Sequence, residues 1–154
     1  DVIAYGIPFV NVSLGGKCFI GKKFCIRTGV QNSEVGLVGS RILVGRSGVL
    51  KIGDNVGMSN ATIVAQESVT IGDNVMIGGG VQIFDTNFHS TDASVRTSGK
   101  ETPDDVKKKP VVIGNNVFIG TNAIICKGVV IPDETIIPAG SVVYSSQTSN
   151  LIIK

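Results

Sequence analysis

The sequence predicts a single all-β domain spanning residues 1–154, in which short parallel strands wind into a three-sided prism. Three observations carry this expectation. Aliphatic residues recur every six positions over much of the chain. Aromatics make up only 5% of residues while glycine has 20 copies, so the core must be built from isoleucine, valine and tight turns. The repeat is also broken once by a long polar stretch, which reads as a loop thrown out of an otherwise regular stack.

In chain order, Ile20 and Ile26 fit the period, whereas Gln31 to Ser40 does not and is expected to be an irregular loop within the first coils. The next block reads Ile52, Met58, Val64, with Val56, Thr62 and Ser68 at the fourth following position. One extra residue then intervenes, because Val64 to Ile71 is seven steps. Ile71, Ile77 and Ile83 resume the repeat, with Val75 and Val81 between them. A polar excursion follows over about residues 86–110. The last block is the most regular: Ile113, Ile119, Ile125, Ile131, Ile137 and Val143, with Val117, Ala123, Val129, Thr135 and Ser141 four positions on.

This period matches neither the 3.6 of a helix nor the 2 of a half-buried strand. Six residues make one short strand and one corner, and three such units make a coil of about eighteen residues, the pattern of hexapeptide β-helices. The aliphatic position points into the prism. The position four later is small because the interior narrows at the corners. Gly114, Gly120, Pro132 and Pro138 follow the aliphatic position and serve the turns. Coils stack at roughly 4.8 Å, and none buries its apolar face alone, so neighbours stabilise one another. Free flat faces favour self-association.

Composition narrows the function. A net charge of +2 with 17% charged residues provides no concentrated basic face, so nucleic acid is not an expected partner. No apolar run reaches the roughly 18–20 residues that span a bilayer, and no membrane insertion is expected. Cys18, Cys25 and Cys126 lack metal-ligand spacing, and their odd number argues against a disulfide framework. With no signal peptide visible, a reducing, cytoplasmic compartment is the expectation.

The excursion opens with "IFDTNFHSTD", Ile83 to Asp92, which holds His89, the sole histidine. A neutral imidazole is suited to general-base chemistry near pH 7. Asp85 lies four residues before His89 and could orient the ring or bind a substrate; Asn87 is a similar candidate. Lys107 to Lys109 reads as a solvated loop flank.

Two stretches carry a resemblance: Asn60–Ser90, "NATIVAQESVTIGDNVMIGGGVQIFDTNFHS", and Lys109–Pro132, "KPVVIGNNVFIGTNAIICKGVVIP", continuing through "IPAGSVV" at Ile137–Val143. The chain resembles the hexapeptide-repeat acyltransferases of the left-handed parallel β-helix fold. The nearest subgroup contains maltose and galactoside O-acetyltransferases and the O-acetyltransferases of surface-polysaccharide synthesis. The resemblance implies the left hand of the coil, a homotrimer with active sites between subunits, acetyl-CoA as donor with no metal required, and a sugar or polysaccharide hydroxyl as acceptor. It assigns His89 as the base. It places Phe118 along the pantetheine arm, where relatives usually carry tryptophan, with Gly120, Thr121 and Ala139 beside it.

The chain also departs from that subgroup. Tyr144 and Ser145 stand where galactoside-type relatives place a Thr-Lys pair on the CoA phosphate, which leaves Lys127, Lys154 or a loop lysine for that contact. Met58 and Gln66 replace an asparagine and an aspartate on the acceptor side, with Asn60 remaining as a candidate acceptor contact. Two further readings stay open, an N-acyltransferase acting on an amino-sugar nucleotide and a non-catalytic sugar-binding scaffold. A zinc hydrolyase on this fold needs several histidines per site, which one histidine per chain does not supply.

Overall fold

The computed structural model describes residues 1–29 and 39–146. These residues form successive coils of a left-handed parallel β-helix. The first coil comprises β1 (Val2–Tyr5), β2 (Phe9–Val12) and β3 (Lys17–Ile20). The second comprises β4 (Phe24–Arg27), β5 (Arg41–Val44) and β6 (Val49–Ile52), and the third β7 (Gly57–Ser59), β8 (Thr62–Ala65) and β9 (Ser68–Ile71). The fourth comprises β10 (Met76–Ile77), β11 (Gln82–Phe84) and β12 (Val111–Ile113), and the fifth β13 (Phe118–Ile119), β14 (Ile124–Ile125) and β15 (Val130–Ile131). Strands β16 (Ile136–Ile137) and β17 (Val142–Val143) begin a sixth. Each strand pairs in parallel with the strand three further on, which yields three flat sheets in the orders β1-β4-β7-β10-β13-β16, β2-β5-β8-β11-β14-β17 and β3-β6-β9-β12-β15.

Three buried columns fill the prism, one behind each sheet. Ile26, Met58, Ile77, Ile119 and Ile137 are in register on the first sheet. Ile42, Ile63, Ile83, Ile125 and Val143 form the second. Ile52, Ile71, Ile113 and Ile131 form the third. The narrow positions hold Val75, Val81, Val117, Ala123, Val129 and Thr135, all buried; the Thr135 hydroxyl donates to the Pro132 carbonyl at 2.8 Å and is thereby satisfied. Coil three corrects the stepping by six. Its inward residues are Ala61, Ile63, Ala65 and Val69, so Val64 takes the opposite face, in register with Phe84 and still only 7% exposed. Thr62 and Ser68 are likewise only half-buried. A slip of one residue exchanges the two faces of a strand, and the corner after Met58 absorbs it.

One corner is held by side-chain ladders that the period does not reveal. Asp54, Asp73, Asn115 and Asp133 each accept the backbone N–H of the equivalent residue one coil before, at 2.6–2.8 Å. Beside them, Asn55 donates to Asn74 at 3.0 Å and Asn74 to Asn116 at 3.1 Å. These three asparagines have φ of 58°, 57° and 56°, the left-handed conformation that asparagine tolerates better than most residues. Gly53 precedes the corner because a Cβ there would lie 2.3 Å from Asp73 Oδ1.

The irregular loop expected over Gln31 to Ser40 falls mostly outside the described residues. Its last residue, Ser40, is buried, with its hydroxyl donating to the Arg27 carbonyl at 2.6 Å and its N–H donating to Thr28 Oγ1 at 2.8 Å. At this end of the prism, among the described residues, no coil stacks on β1–β3, so the inward-facing Val2, Val10, Val12 and Ile20 are exposed.

The polar excursion leaves after β11 and returns before β12, at the corner between the second and third sheets. Its neck is an antiparallel bridge of Thr86 with Lys108, flanked by Asn87 N–H to Lys107 carbonyl at 3.0 Å and Lys109 N–H to Asp85 carbonyl at 2.9 Å. It contains one short helix, α1 (Ala93–Thr97), capped by Asp92, and a 3-10 turn at Pro103–Asp105. Within that turn the Asp105 carboxylate accepts from both the Thr102 N–H and its hydroxyl at 2.8 Å.

Candidate active site

The mouth of the excursion is ordered one residue at a time. Asp85 extends the inward line of β11 and is fully buried. Its carboxylate accepts the N–H groups of Gln66, Glu67 and Ser68 at 2.8, 2.7 and 2.7 Å. It therefore fastens the corner of coil three. It does not meet His89, which corrects the reading of Asp85 as a ring-orienting or acceptor-facing carboxylate. Phe88 has φ of +63°, a strained value for an aromatic residue, and is held there by donating its N–H to Thr86 Oγ1 at 3.0 Å. Its ring packs edge-on against Phe84 at 5.4 Å between centroids.

His89 follows, and its Nδ1 lies 2.8 Å from Oε2 of Glu101. The histidine side chain is 72% exposed and the glutamate 19%. The other oxygen, Oε1, accepts the Ser90 N–H. These contacts, first the Ser90 amide and then the imidazole, hold the Glu101 carboxyl below the usual carboxylate range. An ionised carboxylate only accepts, so the hydrogen of a neutral ring resides on Nδ1 and the lone pair on Nε2. Around this pair, Arg96 donates from Nη1 to the Ser90 carbonyl at 2.6 Å, and the Asp92 N–H donates to Ser90 Oγ at 3.1 Å. Helix α1 thus braces the residue beside the imidazole.

Glu101 is the candidate site residue that the sequence reading missed. It stands twelve positions beyond His89 on an irregular loop, where no period connects them. Asn87 lies at the neck, joined to Lys107 through its backbone. Asn60 sits at another corner, between the first and second sheets, with φ of +44°. It is buried and accepts the Gly29 N–H on Oδ1 at 2.9 Å, the position of a turn asparagine.

Gly120, Thr121 and Ala139 do come together. They share the corner between the first and second sheets, where Gly140 N–H donates to the Thr121 carbonyl at 2.8 Å and a Cβ on Gly120 would lie 2.5 Å from Ala139 N. Phe118 faces outward from β13 beside that corner, 46% exposed and in register between Met76 and Ile136. Lys127 stands at the next corner, after β14, apart from this group. Within one chain, His89 and the Gly120–Thr121–Ala139 column therefore occupy different corners of the prism. Among the described residues no cluster of three or more His, Cys, Asp or Glu residues could hold a metal ion, and no helix is long and apolar enough to cross a membrane.

The described residues build a three-sheet prism with a histidine–carboxylate pair at the mouth of the excursion between β11 and β12, and comparison with known proteins places the repeat that builds this prism among transferases. The family described as bacterial transferase hexapeptide (six repeats) matches residues 110–145, and the hexapeptide repeat of succinyl-transferase matches residues 49–84. A putative lipopolysaccharide biosynthesis O-acetyl transferase of Escherichia coli (strain K12) is 34% identical over 140 residues, covering 88% of this chain and 70% of its own. The galactoside O-acetyltransferase of the same strain is 38% identical over 93 residues, 60% of this chain and 43% of its own. A hexapeptide-repeat acetyltransferase from Vibrio cholerae O1 biovar eltor, solved with acetyl coenzyme A, superposes with a TM-score of 0.61 at 26% identity, over 82% of this chain and 60% of that one. The chain belongs to the hexapeptide-repeat acetyltransferase family. It spans less than half the length of the galactoside enzyme that it matches.

Proposed function

We propose that the protein is an acetyl-CoA-dependent O-acetyltransferase acting on a hydroxyl of a sugar or polysaccharide precursor, with His89 as general base. The single observation that carries this reading is the Nδ1 contact with Glu101, which turns the Nε2 lone pair outward as a proton acceptor. A sugar hydroxyl is a poor nucleophile at neutral pH. Nε2 takes its proton as the oxygen attacks the thioester carbonyl carbon. The tetrahedral oxyanion gains from backbone N–H donors, and its collapse breaks the C–S bond. The imidazolium then returns the proton to the departing thiolate, while the ionised Glu101 stabilises the positive ring. The Vibrio structure with acetyl coenzyme A supports the donor, and the relative named for lipopolysaccharide biosynthesis supports a glycan acceptor.

The separation of His89 from the Gly120–Thr121–Ala139 column supports a homotrimer. One prism does not bring its own base to its own donor column, so a neighbouring prism completes the site. The outward apolar row of Met76, Phe118 and Ile136 is suited to lie along the cleft that results. A cytoplasmic location follows from the use of acetyl-CoA. The test is thiol release from acetyl-CoA in the presence of a glycan panel. Acceptor-dependent release is expected, and His89→Ala lowers kcat by about 10²–10⁴ while leaving the circular dichroism unchanged. Unchanged turnover in that variant refutes the base.

A further inference from the structure

A cavity of about 340 Å³ lies between the excursion and the prism wall, large enough for a small ligand. Gln66 lines it from the corner of coil three, and Thr86, Phe88, Glu101, Thr102 and Lys108 line it from the excursion. Two of these residues tie it to the candidate base: Phe88 precedes His89 in the chain, and Glu101 holds the imidazole. An occupant therefore meets Glu101, the carboxylate that holds His89.

The lining specifies the chemistry of that occupant. Hydroxyls of Thr86 and Thr102 and the amide of Gln66 suit a polyol. The half-exposed ring of Phe88, held in a backbone conformation that bulky residues rarely adopt, offers an apolar face to the C–H side of a sugar ring. Lys108 adds a charge. It is half-buried while Lys107 and Lys109 on either side are exposed, because the bridge to Thr86 turns alternate side chains to opposite faces. Among the described residues, no carboxylate forms an ion pair with it. The carboxylate in the same lining, Glu101, already has one oxygen on the Ser90 N–H and the other on His89.

Resting on the acetyltransferase reading above, we propose that this cavity is the acceptor subsite for an anionic sugar, one bearing a carboxylate or a phosphate, and that Lys108 is the specificity-determining residue that meets the anion. The experiment uses the full chain with coenzyme A present. Calorimetry and acetyl transfer are measured with the methyl glycosides of glucose and galactose, the matching uronides, and the matching 6-phosphates. A charge-assisted contact predicts that one anionic set binds about tenfold more tightly than the neutral glycosides, and which set gains identifies the anion. Lys108→Gln abolishes that preference, Lys108→Arg retains much of it, and Lys107→Gln, altered on the exposed side, keeps it. Equal binding of all three sets, no binding of any, or a preference that survives in Lys108→Gln overturns the inference. Acetyl transfer to a neutral glycoside without any anionic preference overturns it while the acetyltransferase reading stands. Failure to bind acetyl-CoA overturns both.

Discussion

Replacing Asp85 separates a structural role from a catalytic one. Its buried carboxylate gathers three backbone N–H groups at the corner of coil three. In Asp85→Ala those donors lose their acceptor. Glu67 is exposed, so water recovers much of its bond, whereas Gln66 and Ser68 are half-buried. Counting those two at about 1.5 kcal/mol each gives a loss of about 3 kcal/mol. With a urea dependence of about 2 kcal/mol per molar for a chain of this size, the unfolding midpoint falls by about 1.5 M. Asp85→Asn keeps the volume and one acceptor oxygen but turns an NH₂ toward N–H donors, so about half the loss remains. The assay is urea unfolding followed by circular dichroism at one fixed protein concentration, because association shifts the midpoint. A midpoint within about 0.3 M of the parent, accompanied by weakened acceptor affinity, would refute the structural assignment and return Asp85 to the acceptor site.

Further outcomes follow from the same geometry. Glu101→Gln accepts a hydrogen bond but withholds the negative charge from the imidazolium; kcat falls roughly tenfold and the pH–rate profile shifts, whereas a merely structural role for Glu101 leaves the profile in place. Asn74→Ala places a Cβ residue at φ 57° without the two ladder contacts and costs about 1–2 kcal/mol in urea unfolding, while Asn74→Gly, free to adopt that backbone, costs less. The carboxyls of Asp92, Glu101 and Asp105 are all held below their ordinary range, chiefly by hydrogen bonds from Ser94, Ser90 and Thr102 respectively. A lowered folded-state value stabilises the excursion above the ordinary carboxylate range, and that contribution is lost as pH falls through the depressed values. Amide protection at residues 86–110, taken relative to the intrinsic exchange rate at each pH, therefore falls on acidification before protection in the prism does; a uniform loss of protection contradicts this.

The prism was legible because its determinant is local and periodic. From Val75 through Val143 the inward residues of coils four to six follow from counting by six, except Asp85 and Val111 on either side of the excursion, and the break at Ile83 marks the excursion to within a residue or two. His89 could be singled out because it is chemically unlike everything around it. The register error at Val64 arose where that rule loses its footing. A corner of unusual length slides the strand by one residue, and Met58 and Val64 remain equally apolar in either register.

By itself, then, the sequence determined a solenoid of parallel coils, the place of the excursion after β11 and the one histidine that stands there. The tertiary structure alone decided what surrounds that residue. Asp85 is near His89 in the chain yet turns inward, because the strand alternation it continues points it at three unmet amides of the coil before. Glu101 is distant in the chain yet reaches the imidazole, because the neck at Thr86 and Lys108 and the brace from Arg96 fold the excursion back on itself. A six-residue period encodes contacts between successive coils. It carries no information about a loop that leaves the stack, where partners are chosen by closure and by charge.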